Sequence, residues 1–211
     1  MMLRATLVTD GASDKILVPI LQWLMGQLTT EAFEIRWADL RGFRVKPRGL
    51  ARKLAVAVQE YPCQLLFVHR DAEGQDPDRR YEEIRRAAGS TACSHVCVVP
   101  VRMQEAWLLH DEAALREAAD RPSGTDDLGL PPSHRWERLP DPKKVLHDAL
   151  RSANGATGRR AKNFRPKRAA HRLADLITDW RPLRKLSAFN RLEAETRSAL
   201  EHLGLQTVEA D

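Results

Sequence analysis

Hydrophobic and polar positions along the first 120 residues switch repeatedly between two periods. Residues 3–9 form a short apolar run that ends in Asp10-Gly11-Ala12-Ser13, the signature of a strand running into a turn. Over 14–25, Ile16, Leu17, Ile20, Leu21 and Leu24 recur at helical spacing behind Ser13, a good N-cap. Pro19 falls inside that window and is expected to bend the helix or shift its start. Phe33, Ile35 and Trp37 alternate with Glu34 and Arg36, which predicts a second strand. Leu50, Leu54 and Val58, with Ala51, Ala55 and Ala57, predict a helix over 49–60. Residues 65–68 read as a buried strand, 78–88 as a helix stopped by Gly89, and 96–101 as a fourth strand buried on both faces. Asp111 caps a further short helix through residue 119.

This β-α alternation predicts an α/β fold: a Rossmann-like, mostly parallel four-stranded sheet flanked by helices over residues 1–120. Residues 121–140 are rich in Pro, Gly, Ser and Asp and read as a linker. Residues 141–211 read as an all-helical basic extension, with helices over 142–152, 166–179 and 187–203 and a flexible basic loop over 154–164.

Charge sharpens that division. The chain of 211 residues carries a net charge of +5. Between Asp141 and Lys185, thirteen Lys/Arg face four acids, so the rest of the chain is slightly acidic. Such asymmetry points to a polyanion, nucleic acid (DNA or RNA) above all, or to an acidic protein surface. The candidate contacts are Arg44 and Lys46 in the loop before the second helix, and Arg159, Arg160, Lys162, Arg165, Lys167 and Arg168 in the extension. No apolar run approaches membrane-spanning length and the N-terminus lacks a signal-peptide pattern, so no membrane association and a cytoplasmic location are expected. Three cysteines do not make a disulfide framework, and Cys93-x-His95-x-Cys97 reads as strand core rather than a metal clip.

Acidic residues recur just past predicted strands: Asp10 after the first, Asp71 and Glu73 after the third, Glu105 after the fourth. That is where open parallel sheets place ligands. Carboxylates gathered at one sheet edge suit a hard divalent cation such as Mg2+ or Mn2+. Such an ion neutralises phosphate and positions a nucleophile. Each acid also has a plainer reading: a turn cap at Asp10, an Asx-turn at Asp71, a solvated loop at Glu73, a first-turn helix acid at Glu105. Asp14 and Lys15 read as exposed residues of the first helical turn. Walker A, zinc-ribbon and Gly-x-Ser-x-Gly patterns are absent, so the chain is not expected to hydrolyse ATP by itself.

Three stretches resemble one family. VTDGASDKILVPIL resembles the first strand, acidic turn and helix of TOPRIM domains, and FVHRDAEG resembles their acidic motif after the third strand. VVPVRMQEAWLLHDEAAL resembles a segment of TOPRIM-like bacterial proteins related to the OLD nucleases. The resemblance implies a TOPRIM-type sheet and a metal-dependent nuclease or phosphodiesterase. It also implies an ATPase partner and a role in phage defence. On that basis Asp10, Asp71, His69 and Glu105 are the catalytic candidates, and Asp10, Asp71, Glu73 and Glu105 the metal candidates. The chain departs from the family in carrying Asp10 where a glutamate is usual and His69 where an aspartate is usual. A catalytically degenerate nucleic-acid-binding or protein-assembly module is the alternative that these departures favour.

Overall fold

The protein is described by a computed structural model over residues 2–42 and 47–208. Four strands, β1 (Leu3–Val8), β2 (Phe33–Trp37), β3 (Leu65–His69) and β4 (Ser94–Val98), form one all-parallel sheet in the order β2-β1-β3-β4. The helices are α1 (Leu17–Leu28), α2 (Leu50–Glu60), α3 (Pro77–Ala88), α4 (Glu112–Ala118), α5 (Pro142–Asn154), α6 (Gly158–Asn163), α7 (Pro166–Leu176) and α8 (Ser187–His202). Helices therefore flank a parallel α/β sheet, as the periodicity predicts.

Strand alternation divides the core into two layers. Leu3, Ala5 and Leu7, Leu65 and Phe67, and Val96 and Val98 face α1 and the C-terminal helices. Val8, Leu66, Val68 and Cys97 face α2 and α3. Strand order reverses direction at β1: β2 lies on one side, β3 and β4 on the other. The crevice above such a reversal is where parallel sheets bind ligands. The register brings the strand ends level there, with Val8 beside Val68 and His69 beside Val98.

Local chemistry explains three departures from the sequence reading. The first helix starts late: a 3-10 turn over Ala12–Ile16 precedes α1, which puts Pro19 in the first turn of α1. There its missing N–H removes no intrahelical bond. β4 stops at Val98 rather than reaching 101, because Pro100 has no N–H with which to continue the ladder. The segment beyond it instead receives hydrogen bonds from the loop after β3: Ala72 N–H donates to Pro100 O at 3.1 Å, Glu73 N–H to Arg102 O at 3.1 Å and Gly74 N–H to Val101 O at 3.0 Å. Glycine suits position 74, whose φ of 78° lies in the left-handed region that L side chains rarely adopt. The expected loop over 154–164 contains the exposed one-and-a-half-turn helix α6, which has no apolar stripe to announce it.

The C-terminal helices share one continuous apolar cluster with the sheet. Helix α8 covers the β4 edge, and Glu195 accepts from the Cys97 backbone N–H at 3.2 Å. It is fastened to α3 by Arg191–Asp78 (2.6 Å) and Arg85–Glu195 (2.9 Å). This edge would otherwise present free backbone donors to other chains. Fully buried Phe189 meets Trp107 edge-on at 5.7 Å between ring centroids.

Truncating Phe189 to alanine is expected to cost about 3–5 kcal/mol and to lower a single cooperative urea transition. A transition of the sheet that stays at its wild-type midpoint in that variant would show the helices to be a separate unit.

Candidate active site at the sheet reversal

A cleft of about 300 Å3 opens above the carboxyl ends of β1, β3 and β4, lined by Asp10, Asp14, Asp71, Glu73, Glu105 and Lys143 among others. All four metal candidates from the sequence therefore border one cleft. They are not equivalent within it.

Asp10 is 47% exposed and already paired, with Lys53 Nζ at 3.0 Å and Arg70 Nε at 3.2 Å. Parity accounts for this. Val8 belongs to the α2/α3 layer, and Asp10, two residues on, continues on the same side. His69 and Asp71 continue the opposite side, that of Leu65 and Phe67. Glu73 sits at the rim, mostly exposed, with φ 54° and a long 3.9 Å approach from Arg80.

Asp14 is 6% exposed, not an exposed first-turn residue. Its Oδ2 accepts from Gly11 N–H at 2.9 Å, and its Oδ1 accepts from the Ser13 hydroxyl at 3.0 Å and from Gln104 Nε2 at 2.9 Å. The signal was in the helical period: Asp14 stands three residues before Leu17 and seven before Leu21, on their inward face. Gln104, which the sequence reading did not single out, is buried in the 3-10 turn Gln104–Leu108. It joins the loop after β1 to the loop after β4.

Asp71 and Glu105 carry the unspent capacity. Asp71 Oδ1 and Glu105 Oε2 are buried with no hydrogen-bond partner among the described residues. Burial, then the charges of Glu105 and Asp14, push the Asp71 carboxyl up to about 8, partly offset by the Gln104 backbone amide. Burial likewise raises Glu105, against the pull of its own backbone amide and of Lys143, whose Nζ lies 3.7 Å away. Arg80 Nε holds the loop by donating to the Asp71 carbonyl at 3.1 Å.

His69 lies beneath the cleft, 2% exposed. Its Nδ1 is 3.0 Å from Val98 O, so that nitrogen carries the proton and Nε2 faces Asp71 Oδ1 at 3.6 Å, beyond hydrogen-bond length. Burial holds its pKa below the ordinary imidazole value, with Asp14 acting in the other direction. His69 is thus a neutral, buried floor beneath Asp71 at physiological pH.

Among the described residues, no group of three or more His, Cys, Asp or Glu side chains is arranged to hold a metal ion. Magnesium commonly takes only one or two carboxylates and completes its shell with water and phosphate. The unpartnered oxygens of Asp71 and Glu105 fit that smaller requirement. At the opposite end of the sheet, Cys93 Sγ lies 3.8 Å from Cys63 Sγ, and Cys97 is core.

Of the predicted nucleic-acid contacts, Arg160, Arg165 and Arg168 line a second, larger cleft, while Arg159, Lys162 and Lys167 are exposed outside it. Arg44 and Lys46 lie outside the described residues. No helix among the described residues is long and apolar enough to cross a membrane. Comparison with models of known families, with curated proteins and with solved structures gives no match.

The raised Asp71 pKa fixes a pH dependence. An acid with a folded pKa of about 8 and an unfolded value of about 3.9 costs no stability below pH 4. It costs progressively more as pH rises to about 8. Asp71→Asn is therefore expected to gain stability relative to wild type between pH 5 and pH 9 by at least about 1.4 kcal/mol, one pKa unit's worth. Urea unfolding at both pH values checks this, and a pH-independent difference between the two proteins would contradict it. Asp14→Ala, which leaves Gln104 and the Gly11 N–H unpaired, is expected to lose about 1–3 kcal/mol in the same assay.

Proposed function

We propose that this chain is a TOPRIM-like, metal-dependent phosphodiesterase acting on nucleic acid. The observation that carries the reading is the pair Asp71 and Glu105. Both line one cleft, each has a buried unpartnered oxygen, and burial, then the charges of Glu105 and Asp14, push Asp71 up. Buried carboxylates left with unpartnered oxygens are unfavourable for folding, and their presence in a cleft at a sheet reversal is the usual mark of a functional site.

Asp71 and Glu105 are the residues that would hold Mg2+ or Mn2+. When bound, the ion would neutralise a phosphate oxygen and acidify an attacking water. Asp14 and Gln104 act by positioning: their hydrogen bond fixes the loops on either side of Asp71. Lys143, 43% exposed beside Glu105, offers a cation to an incoming phosphate. Asp10 anchors Arg70 and Lys53 at the rim, where both are near enough to steer a phosphodiester. His69, buried beneath Asp71, takes no direct part in this reading. An ATPase partner and a defence role enter this reading through the family resemblance alone.

The degenerate alternative draws on Asp10, whose charge is spent on Lys53 and Arg70. A cleavage assay separates the two. With linear DNA and RNA and Mg2+ or Mn2+, wild type is expected to cut and EDTA to stop it. Asp71→Ala and Glu105→Ala are expected to lose about a hundredfold or more in rate. Lys162→Ala is expected to match wild type at saturating substrate. Salt-sensitive binding without cleavage under either metal would establish the binding module instead.

A further inference from the structure

A second cleft, larger than the acidic one, lies away from it, where the end of α5, α6 and the start of α7 meet. Its volume is about 830 Å3, within the range of small-molecule and cofactor sites. Arg160, Arg165, Arg168 and Arg172 line it, and Asp120 is the one carboxylate among its lining residues. Asp120 is already paired with Arg172. Arg165 donates to the Lys162 carbonyl at 2.8 Å. The side chains of Arg160 and Arg168 have no hydrogen bond or ion pair among the described residues.

The walls are built to leave these groups open. Gly155 (φ 61°) ends α5 in the left-handed region, and Gly158 (φ 59°) turns the chain into α6. The backbone between them is thereby laid along the cleft. Phe164 is half-buried, packed on the core cluster on one side and lining the cleft on the other. Convergent guanidiniums bind phosphate oxygens in pairs, and an aromatic ring among them gives a base a surface on which to stack.

We propose that this arginine cleft seats a nucleic-acid strand, holding its phosphates on Arg160 and Arg168 and a base on Phe164. The proposal deepens the function above and rests on nucleic acid being the substrate. Two helices connect the cleft with the acidic site. Lys143, at the start of α5, faces Glu105, and Asn154 and Gly155, at its end, line the arginine cleft. A 13-residue helix is about 20 Å long. Helix α7 presents Arg168 and Arg172 to the cleft and packs against the 3-10 turn that carries Asp14. A twelve-residue strand, about 40 Å long at the stacked rise, reaches both clefts. The seat therefore grips the strand several nucleotides from the carboxylates rather than at the reacting phosphate.

Fluorescence anisotropy of 5′-labelled dT12 on the full chain, in EDTA, tests this without cleavage. Arg160→Ala/Arg168→Ala is expected to weaken binding tenfold or more. It is also expected to lower the slope of log affinity against log salt by about 1.4, the value for two single-strand phosphate contacts. Phe164→Leu keeps the apolar packing and is expected to lose about fivefold through stacking. Arg79→Ala/Arg86→Ala, exposed on α3 in the opposite layer of the sheet, is expected to stay within about twofold of wild type. Both cleft arginines are exposed, and a thermal melt verifies that the double variant is folded. Wild-type affinity in that folded variant would overturn the proposal. Saturable binding of ATP or inorganic phosphate without binding of dT12 would also overturn it, in favour of a free-anion site. Binding without cleavage would sink the nuclease reading alone; cleavage with unchanged binding in the arginine variant would sink this one alone.

Discussion

The hydrogen bond from Gln104 to Asp14 is the constraint on which the acidic cleft depends. It spans ninety positions of sequence and closes at 2.9 Å in a buried setting. Asp14 belongs to the 3-10 turn after β1, and Gln104 to the one after β4. The strand between them, β3, delivers Asp71 into the gap. One fully hydrogen-bonded carboxylate thereby fixes the loops after β1 and β4 relative to one another, and the loop after β3 is held to the latter by the backbone N–H groups of Ala72, Glu73 and Gly74. Asp14 also supplies negative charge to Asp71, so the group that shapes the site helps to set its protonation. A buried carboxylate serving both ends is costly unless every oxygen is occupied, and both oxygens of Asp14 are.

Much of this architecture is legible in the residues. Short apolar runs mark β1, β3 and β4, a period of two marks β2 and a period of 3.6 most of the helices, because β1, β3 and β4 are covered on both faces and each helix buries one stripe. The order β2-β1-β3-β4 cannot be read from periodicity, since any of these short apolar strands fits beside any other. Within the site, strand-end positions draw attention to Asp10, Asp71, Glu73 and Glu105. Parity then separates them: Asp10 follows Val8 toward α2 and its Lys53, while Asp71 follows Phe67 and His69 toward Asp14 and Glu105. That separation is available by counting in twos. What no count supplies is Gln104, a neutral residue whose importance comes from meeting Asp14 in three dimensions. Helix α6 escapes for another reason, because its six residues are all exposed and leave no hydrophobic trace.

Charge is segregated on one body rather than between a domain and a tail. The sheet and the basic helices share an apolar cluster, α8 seals the β4 edge, and α7 lies against the turn that carries Asp14. An acidic cleft and an arginine cleft are therefore held at a fixed separation by α5 and α7. A polyanion approaching the carboxylates alone would be repelled. On the proposed reading the arginines and Lys143 would offset that repulsion, and a divalent cation would complete the neutralisation.

The central claim is that Asp71 and Glu105 form a cation site whose proton leaves when the ion arrives. Isothermal titration of Mn2+ into the full chain at pH 7, repeated in buffers of different ionisation enthalpy, tests it most directly. One site per chain with release of close to one proton is predicted, because Asp71 with a pKa of about 8 is mostly protonated at that pH. Asp71→Asn is predicted to abolish that proton release. No binding, or binding with the same proton count in wild type and Asp71→Asn, would contradict the account.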